Sequence, residues 1–465
     1  MIRSLDLFST GRQNERAIFT LRMLKYLFCW LMLWQDSMIG GSIFEFSTFT
    51  GVIPGIRPVE LMALIAVLFG LAERTLKRDF TVRRSYFSAP LIAIVFIFIL
   101  SWVRGSIMKQ AVVGILEGKE AFAWPFAFFA ISNTFRDPED REVLWMLLIS
   151  AVIPKALEGV YIYYFIDSPG VSWGVVQLWR DAYLLGIGAV SLMLFPHYHG
   201  KKLRNVKRLL FLSTPVLGFT FLMSFRRTFL LSALVSMMLM FITLPKGLRT
   251  KQFRIAGLFI GFLLLFALIT NPLAIAERLG SVFAPKAEGS AYIRLLEWPN
   301  VIENIKNNPL FGVPVGIPWK TYWRMPVSAV YTTLGTHNTY LYWALRGGFP
   351  GLIVFLWLLG KLWKTALINN ALRRTEEDFM FGQLGIHLLI LYCVSCFFGL
   401  MYSEDLPVFM GALITLYQLQ TKYICGRYSL KEVSLLRTLR NRTLTFKERY
   451  QPSATPVIAL EGAVA

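Results

Sequence analysis

Charge is scarce in this sequence. Only 16% of its 465 residues are Asp, Glu, Lys or Arg, where a soluble globular domain carries about 25%. Four cysteines cannot staple a chain of this length, so a disulfide scaffold is excluded, and an apolar content of 55% excludes disorder. No Gly-rich phosphate loop, no acidic cluster suited to magnesium and no pair of glycosidase-like carboxylates is found. Cys393-x-x-Cys396 has no second pair at metal-ligand spacing and reads as packing. No metal and no cofactor are expected. An internal repeat is missing too, which weakens a transporter assembled from duplicated halves.

What the chain does have is apolar runs long enough to cross a bilayer. They fall near 24–40, 57–72, 88–104, 115–134, 143–165, 181–198, 208–224, 228–244, 255–271, 349–366, 380–400 and 405–421. The expected fold class is therefore an all-α polytopic integral membrane protein of about 12 transmembrane helices. Residues 1–271 would hold the first nine, 272–348 one long external loop, 349–421 the last three, and 422–465 a basic tail. The net charge of +20 could point to nucleic acid, but its placement points to topology instead. With the N-terminus inside, cytoplasmic segments hold 33 Lys and Arg and the short outer loops hold six. That asymmetry is the positive-inside pattern, and it predicts both termini in the cytoplasm. Arg3 to Arg22 precede the first span with no small-residue cleavage site, so no cleavable signal is expected. The tail from Lys422 to Arg449 reads as a juxtamembrane basic segment near anionic lipid.

The 77-residue stretch 272–348 breaks the rhythm of short connections, and long loops in compact proteins are usually functional. Within it, Leu295, Trp298, Val301, Ile302 and Ile305 recur at helical spacing, which predicts an amphipathic helix on the outer membrane surface. Pro299 predicts a kink or boundary there. Arg294 and Glu297 fall one turn apart and can pair on one face. Asn308-Pro309-Leu310-Phe311-Gly312-Val313-Pro314-Val315-Gly316 reads as a fixed irregular loop. Thr336-His337-Asn338-Thr339-Tyr340-Leu341 then runs through Arg346-Gly347-Gly348-Phe349-Pro350-Gly351-Leu352 into the next span.

These features resemble the O-antigen ligase and O-antigen polymerase (Wzy-type) superfamily. The likeness rests on an Arg-bearing amphipathic segment ending in Pro309-Leu310-Phe311-Gly312, then His337-Asn338-Thr339-Tyr340-Leu341, then the glycine-rich entry to a span. It covers roughly 270–360; elsewhere only the topology agrees. The resemblance implies a metal-independent glycosyltransferase of the bacterial inner membrane, multi-pass, acting at the periplasmic face. It would take a glycan from an undecaprenyl-diphosphate carrier to an acceptor hydroxyl, either on lipid A-core (a ligase) or on another lipid-linked glycan (a polymerase).

That reaction needs stabilisation of the diphosphate leaving group and removal of a hydroxyl proton. Arginine suits the first task, because its planar fork binds phosphate oxygens bidentately. Histidine suits the second. His337 is one of four histidines and the only one in the loop, which makes it the candidate base. Asn338 beside it could orient acceptor or imidazole, or simply cap the following helix. Arg226 and Arg227 lie in a tight outer turn against the positive-inside preference. They read as a diphosphate clamp, Arg226 first, or as cations snorkelling to lipid head groups. Arg294 is the third candidate for diphosphate, its alternative being an ion pair with Glu297. Arg346 is a weaker fourth, equally readable as an interfacial anchor. Lys155 and Glu158 at i, i+3 inside a span read as a structural pair ahead of a functional one. Trp319 and Trp323 fit an interfacial belt, although aromatic faces also suit sugars.

The competing readings are a membrane transporter of a lipid-linked glycan or small anion, and a non-catalytic assembly subunit that would tolerate loss of His337. A transporter should carry charges near the midplane of its spans, and only Lys155 and Glu158 offer that. Nothing points to lipid A-core recognition, which leans the reading toward a polymerase or general polysaccharide assembly.

Overall fold

A computed structural model describes residues 2–34, 58–79, 85–108, 111–161, 164–165, 179–201, 203–223, 227–244, 248–250, 253–258, 261, 265, 289–323, 335–399 and 406–425. Among the described residues every long regular element is a helix. In chain order these are α1 (Ile2–Trp34), α2 (Pro58–Leu76), α3 (Ser88–Ile107), α4 (Ala111–Thr134) and α5 (Pro138–Tyr161). Then come α6 (Trp179–Leu194), a 3-10 turn (Phe195–His197), α7 (Arg204–Leu212), α8 (Thr214–Met223) and α9 (Arg227–Thr243). The last four are α10 (Gly289–Asn307), α11 (Thr339–Ala371), α12 (Glu376–Phe398) and α13 (Leu406–Cys425).

Four of these are long and apolar enough to cross a bilayer: α3, Asp140–Tyr161 within α5, α11 and α12. Tyr183–His197 and Thr228–Thr243 are apolar but shorter. Other expected spans fall on helices with more charge or a break. Glu60, Glu73 and Arg74 lie in α2, and Glu117, Lys119 and Glu120 lie in α4. The run 208–224 is divided at Ser213 between α7 and α8. The length and apolar character of these helices are those of a membrane protein.

The helices pack chiefly as neighbours in a bundle: α1 on α2 and α5, α4 on α3 and α13, α11 on α3 and α12, and α9 on α12. Aromatic rings weld α3, α4, α11 and α12 together. Trp343 lies 5.1 Å from Phe98, 5.2 Å from Phe355 and 5.8 Å from Trp124, and Trp124 lies 6.3 Å from Tyr392. Offset aromatic contacts of this kind add about 0.5–1.5 kcal/mol each beyond area burial. Trp343 is on the first turns of α11, so this cluster anchors the helix that begins just after His337.

A second, smaller core gathers Val301 and Ile305 of α10, Val313 and Trp319 of the following loop, and Ala344 and Leu345 of α11. The expected apolar stripe of α10 therefore divides. Val301 and Ile305 face this core, while Leu295 and Ile302 are exposed. Pro299 does not end the helix, which runs through it to Asn307. The carbonyl that loses its donor to Pro299 is that of exposed Leu295, where the loss is cheapest.

The loop after α10 is held from three sides. Gly312 N–H donates to Asn308 O and Val313 N–H to Leu345 O, at 2.9 and 2.6 Å. Arg346, the fourth diphosphate candidate or interfacial anchor, is fully buried and pairs with Glu117 of α4, and its Nη1 donates to the carbonyls of Pro314 and Ile317 at 2.9 and 2.8 Å. Ser101 of α3 accepts from Val315 N–H and donates to Arg346 O. Arg346 is thus a buried tie between α11 and the loop. Gly348 adopts φ +63, a region that disfavours a side chain, and it breaks α11 into two helical pieces. A Cβ there would lie 2.5 Å from the Leu310 carbonyl. The second glycine of the Gly-Gly pair at the mouth of the span is required by this close approach.

Lys155 and Glu158 form a buried ion pair at 2.8 Å, as their spacing predicts. Cys393 and Cys396 are free thiols.

Candidate active site

Two elements bring the site together. On α10, residues 297, 300 and 304 share one face, and all three are buried polar side chains: Glu297, Asn300 and Asn304. Such groups are stable only when their hydrogen bonds are made. Asn300 Oδ1 accepts from the backbone N–H of Tyr322 and Trp323 at 2.6 and 2.8 Å. Asn304 accepts from Lys320 N–H and donates to Lys320 O at 3.0 and 2.7 Å. The two asparagines therefore strap residues 320–323 along the helix. Trp319, next in that strap, donates its indole N–H to Gly335 O at 2.9 Å and so fixes the approach to His337.

Glu297 completes the face. It is fully buried, and both of its oxygens meet one residue. His337 backbone N–H donates to Oε1 at 2.6 Å, and His337 Nδ1 lies 2.6 Å from Oε2. The imidazole is 23% exposed, and Nε2 has no partner among the described residues. An imidazole held at one nitrogen and open at the other can exchange a proton with a molecule arriving from outside.

Asn338 is the N-cap of α11, its Oδ1 accepting from Leu341 N–H at 3.0 Å. The capping alternative is thus realised, while Nδ2 stays without a partner among the described residues. Thr339 donates to Gly399 O at 2.8 Å and ties the start of α11 to the end of α12.

The other predicted residues are distributed as follows. Arg294 is half-buried on α10, one turn before Glu297, but Glu297 is bonded to His337. The local ion pair that was the alternative for Arg294 is not formed; Glu297 makes instead a contact spanning 40 positions in the chain. Arg226 lies outside the described residues; Arg227 opens α9, and its side chain likewise lies outside them. Glu297 as the partner of His337 is the element the sequence alone did not single out. Its only signal was an acidic residue on a helix whose other face is apolar.

Among the described residues, then, the chain is an all-helical protein with helices long and apolar enough to cross a membrane and a buried carboxylate–imidazole pair where α10 meets the start of α11. Residues 209–356 match a family model described as O-antigen ligase, which supports the O-antigen ligase/polymerase superfamily and, in general terms, glycan transfer of that kind. The matched stretch is less than half of the chain, yet it takes in Arg226, Arg227, Arg294, His337 and Asn338. No curated protein matches the chain.

Proposed function

We propose that this protein transfers a glycan from an undecaprenyl-diphosphate carrier to an acceptor hydroxyl at the periplasmic face of the bacterial inner membrane, with both termini in the cytoplasm. The observation that carries the proposal is the His337 imidazole, held at Nδ1 by a buried carboxylate and open at Nε2, inside the family-matched segment. The acceptor oxygen forms a bond to the anomeric carbon. The bond from that carbon to the diphosphate oxygen breaks, the electron pair leaves with undecaprenyl diphosphate, and the hydroxyl proton passes to His337 Nε2. Arg226, Arg227 and Arg294 are assigned to the growing charge on the diphosphate, a task in which arginine needs no metal. Asn338 Nδ2 supplies a further donor beside the base. Direct displacement without a protein nucleophile inverts the anomeric centre.

The ligase and polymerase versions share this chemistry, and the absence of any feature aimed at lipid A-core favours polymerase. The transporter reading loses its main support, because Lys155 and Glu158 neutralise each other. The test uses purified protein in nanodiscs with an undecaprenyl-diphosphate repeat unit, alone and with lipid A-core, beside His337→Ala. A ladder from the repeat unit alone is expected, with the variant reduced by about 10²–10⁴-fold as for loss of a general base. Transfer only on adding lipid A-core would assign a ligase. A fully active variant would overturn the role of His337.

A further inference from the structure

We infer that Glu297 is a positioning residue that fixes the tautomer of His337, leaving the proton on Nδ1 and the lone pair on Nε2. This rests on the reading of His337 as the base given above. The inference comes from how the two carboxylate oxygens are divided. Oε1 is occupied by the His337 backbone N–H at 2.6 Å, and a backbone amide can only donate. Oε2 faces Nδ1 at 2.6 Å. An ionised carboxylate only accepts, so the nitrogen opposite must carry the hydrogen. Nε2 is then the acceptor, and it is the nitrogen with no partner among the described residues. The arrangement is rigid at both ends. Glu297 is fully buried on a helix braced by Asn300 and Asn304, and the chain entering His337 is pinned at Gly335 by Trp319.

The geometry makes a sharp prediction for Glu297→Gln, which is nearly isosteric. The glutamine has one accepting oxygen and one donating NH2. Since the backbone N–H cannot switch roles, the oxygen stays with it and the NH2 faces Nδ1. The imidazole can switch, so it answers by moving its proton to Nε2, and the outward nitrogen becomes a donor that cannot take a proton. In serine-protease triads the equivalent Asp→Asn change leaves the geometry intact and lowers kcat by about 10⁴. Here kcat is expected to fall on the order of 10³-fold or more, with KM changing far less, because the defect lies in proton transfer and not in binding.

The experiment records ¹⁵N spectra of ring-labelled histidines in the full-length protein in nanodiscs, with the His337 signals identified by their absence in His337→Gln. Wild type and Glu297→Asp should show Nδ1 protonated and Nε2 bare; Glu297→Gln should show the reverse. Nε2 protonated in the wild type overturns the inference even if no variant folds, and so does an unchanged tautomer in Glu297→Gln. Transfer is measured on the same samples. A swapped tautomer with lost transfer supports both readings, whereas a swapped tautomer with undiminished transfer supports the positioning by Glu297 and overturns Nε2 as the base.

Discussion

Lys25 and His337 each sit against buried carboxylates, and their surroundings are built on opposite plans. Lys25 lies between Glu73 and Asp140 at 2.9 and 3.1 Å. Glu73 is held further by Arg22 and Lys77, at 2.9 and 2.8 Å. Asp140 accepts from Tyr26 Oη at 2.6 Å and from the N–H groups of Arg136 and Asp137 at 2.7 and 2.9 Å. Charge is met by charge until the network closes, and it joins α1, α2 and the α4–α5 junction. Glu297 has one side-chain partner among the described residues, the His337 ring, and that ring keeps a nitrogen open. A saturated network stabilises the fold and has nothing left to offer a ligand. An unsaturated pair contributes less to stability and retains a group for chemistry.

The largest expected effect comes from opening the closed network. Lys25→Met leaves Glu73 and Asp140 buried without their shared cation, and breaking a buried pair in this way costs about 3–5 kcal/mol. A clearly lower melting temperature in detergent is expected, with transfer per folded molecule unchanged. His337→Ala should show the opposite emphasis, with transfer lost and the melting temperature lowered less than in Lys25→Met, because Glu297 keeps its bond from the backbone N–H of residue 337. If Lys25→Met were as stable as wild type, the distinction between the two clusters would fail.

Protons sharpen the same contrast. Burial pushes the Glu73 carboxyl up, but Lys77, Lys25 and Arg22 outweigh it and hold the group at about 2, below its usual 4.5. A carboxyl with a depressed folded value contributes stability that is complete above its unfolded value and declines as pH falls toward the folded one. Stability from this network should therefore hold down to about pH 4.5 and be lost between there and about pH 2. Melting temperatures across pH 7 to 3 check this. In Lys25→Met the decline should still begin near pH 4.5 but be smaller and end at higher pH, because one of the cations that depress Glu73 is gone.

How much of this was legible beforehand depends on the range of each contact. The helices follow from apolar runs, and Lys155–Glu158 follows from i, i+3 spacing, because both are local. His337 stood out as the only loop histidine. Local spacing misled at Glu297, however. Arg294 is its neighbour on the helix, but the carboxylate turns to a residue 40 positions away. Arg346 gave the same difficulty, since its partner Glu117 is on α4 and an arginine at a span entrance reads equally well as a lipid anchor. Asn300 and Asn304 carried no motif at all; their importance lies in bonds to the backbone of 320–323. Pairing across a tertiary interface has no sequence period, so only the fold reveals it.

A smaller effect tests the loop that frames the site. Gly348→Ala forces a side chain onto φ +63 and against the Leu310 carbonyl. Strain of this kind costs about 1–3 kcal/mol. The 309–312 turn should shift, because Phe349 N–H donates to Pro309 O at 2.7 Å. A lowered melting temperature with a partial loss of transfer is expected, since the turn leads directly into Val313, which shares the small core with α10.

The smallest effect separates two roles within one side chain. Asn338 caps α11 through Oδ1, whereas the proposed contact to substrate uses Nδ2. Asn338→Ala removes both and should lower stability by about 1 kcal/mol, the usual worth of an N-cap. Asn338→Asp keeps an equally good cap but replaces the donor with a second acceptor. If capping is the whole function of Asn338, the aspartate variant matches wild type in melting temperature and in transfer. If Nδ2 assists the reaction, its melting temperature is unchanged while transfer falls about tenfold, the worth of one hydrogen bond. The second outcome is expected, because a carboxylate on the residue next to the base also repels an arriving diphosphate. Equal transfer would assign Asn338 to the scaffold and leave His337 as the only side chain of the two that acts on the glycan.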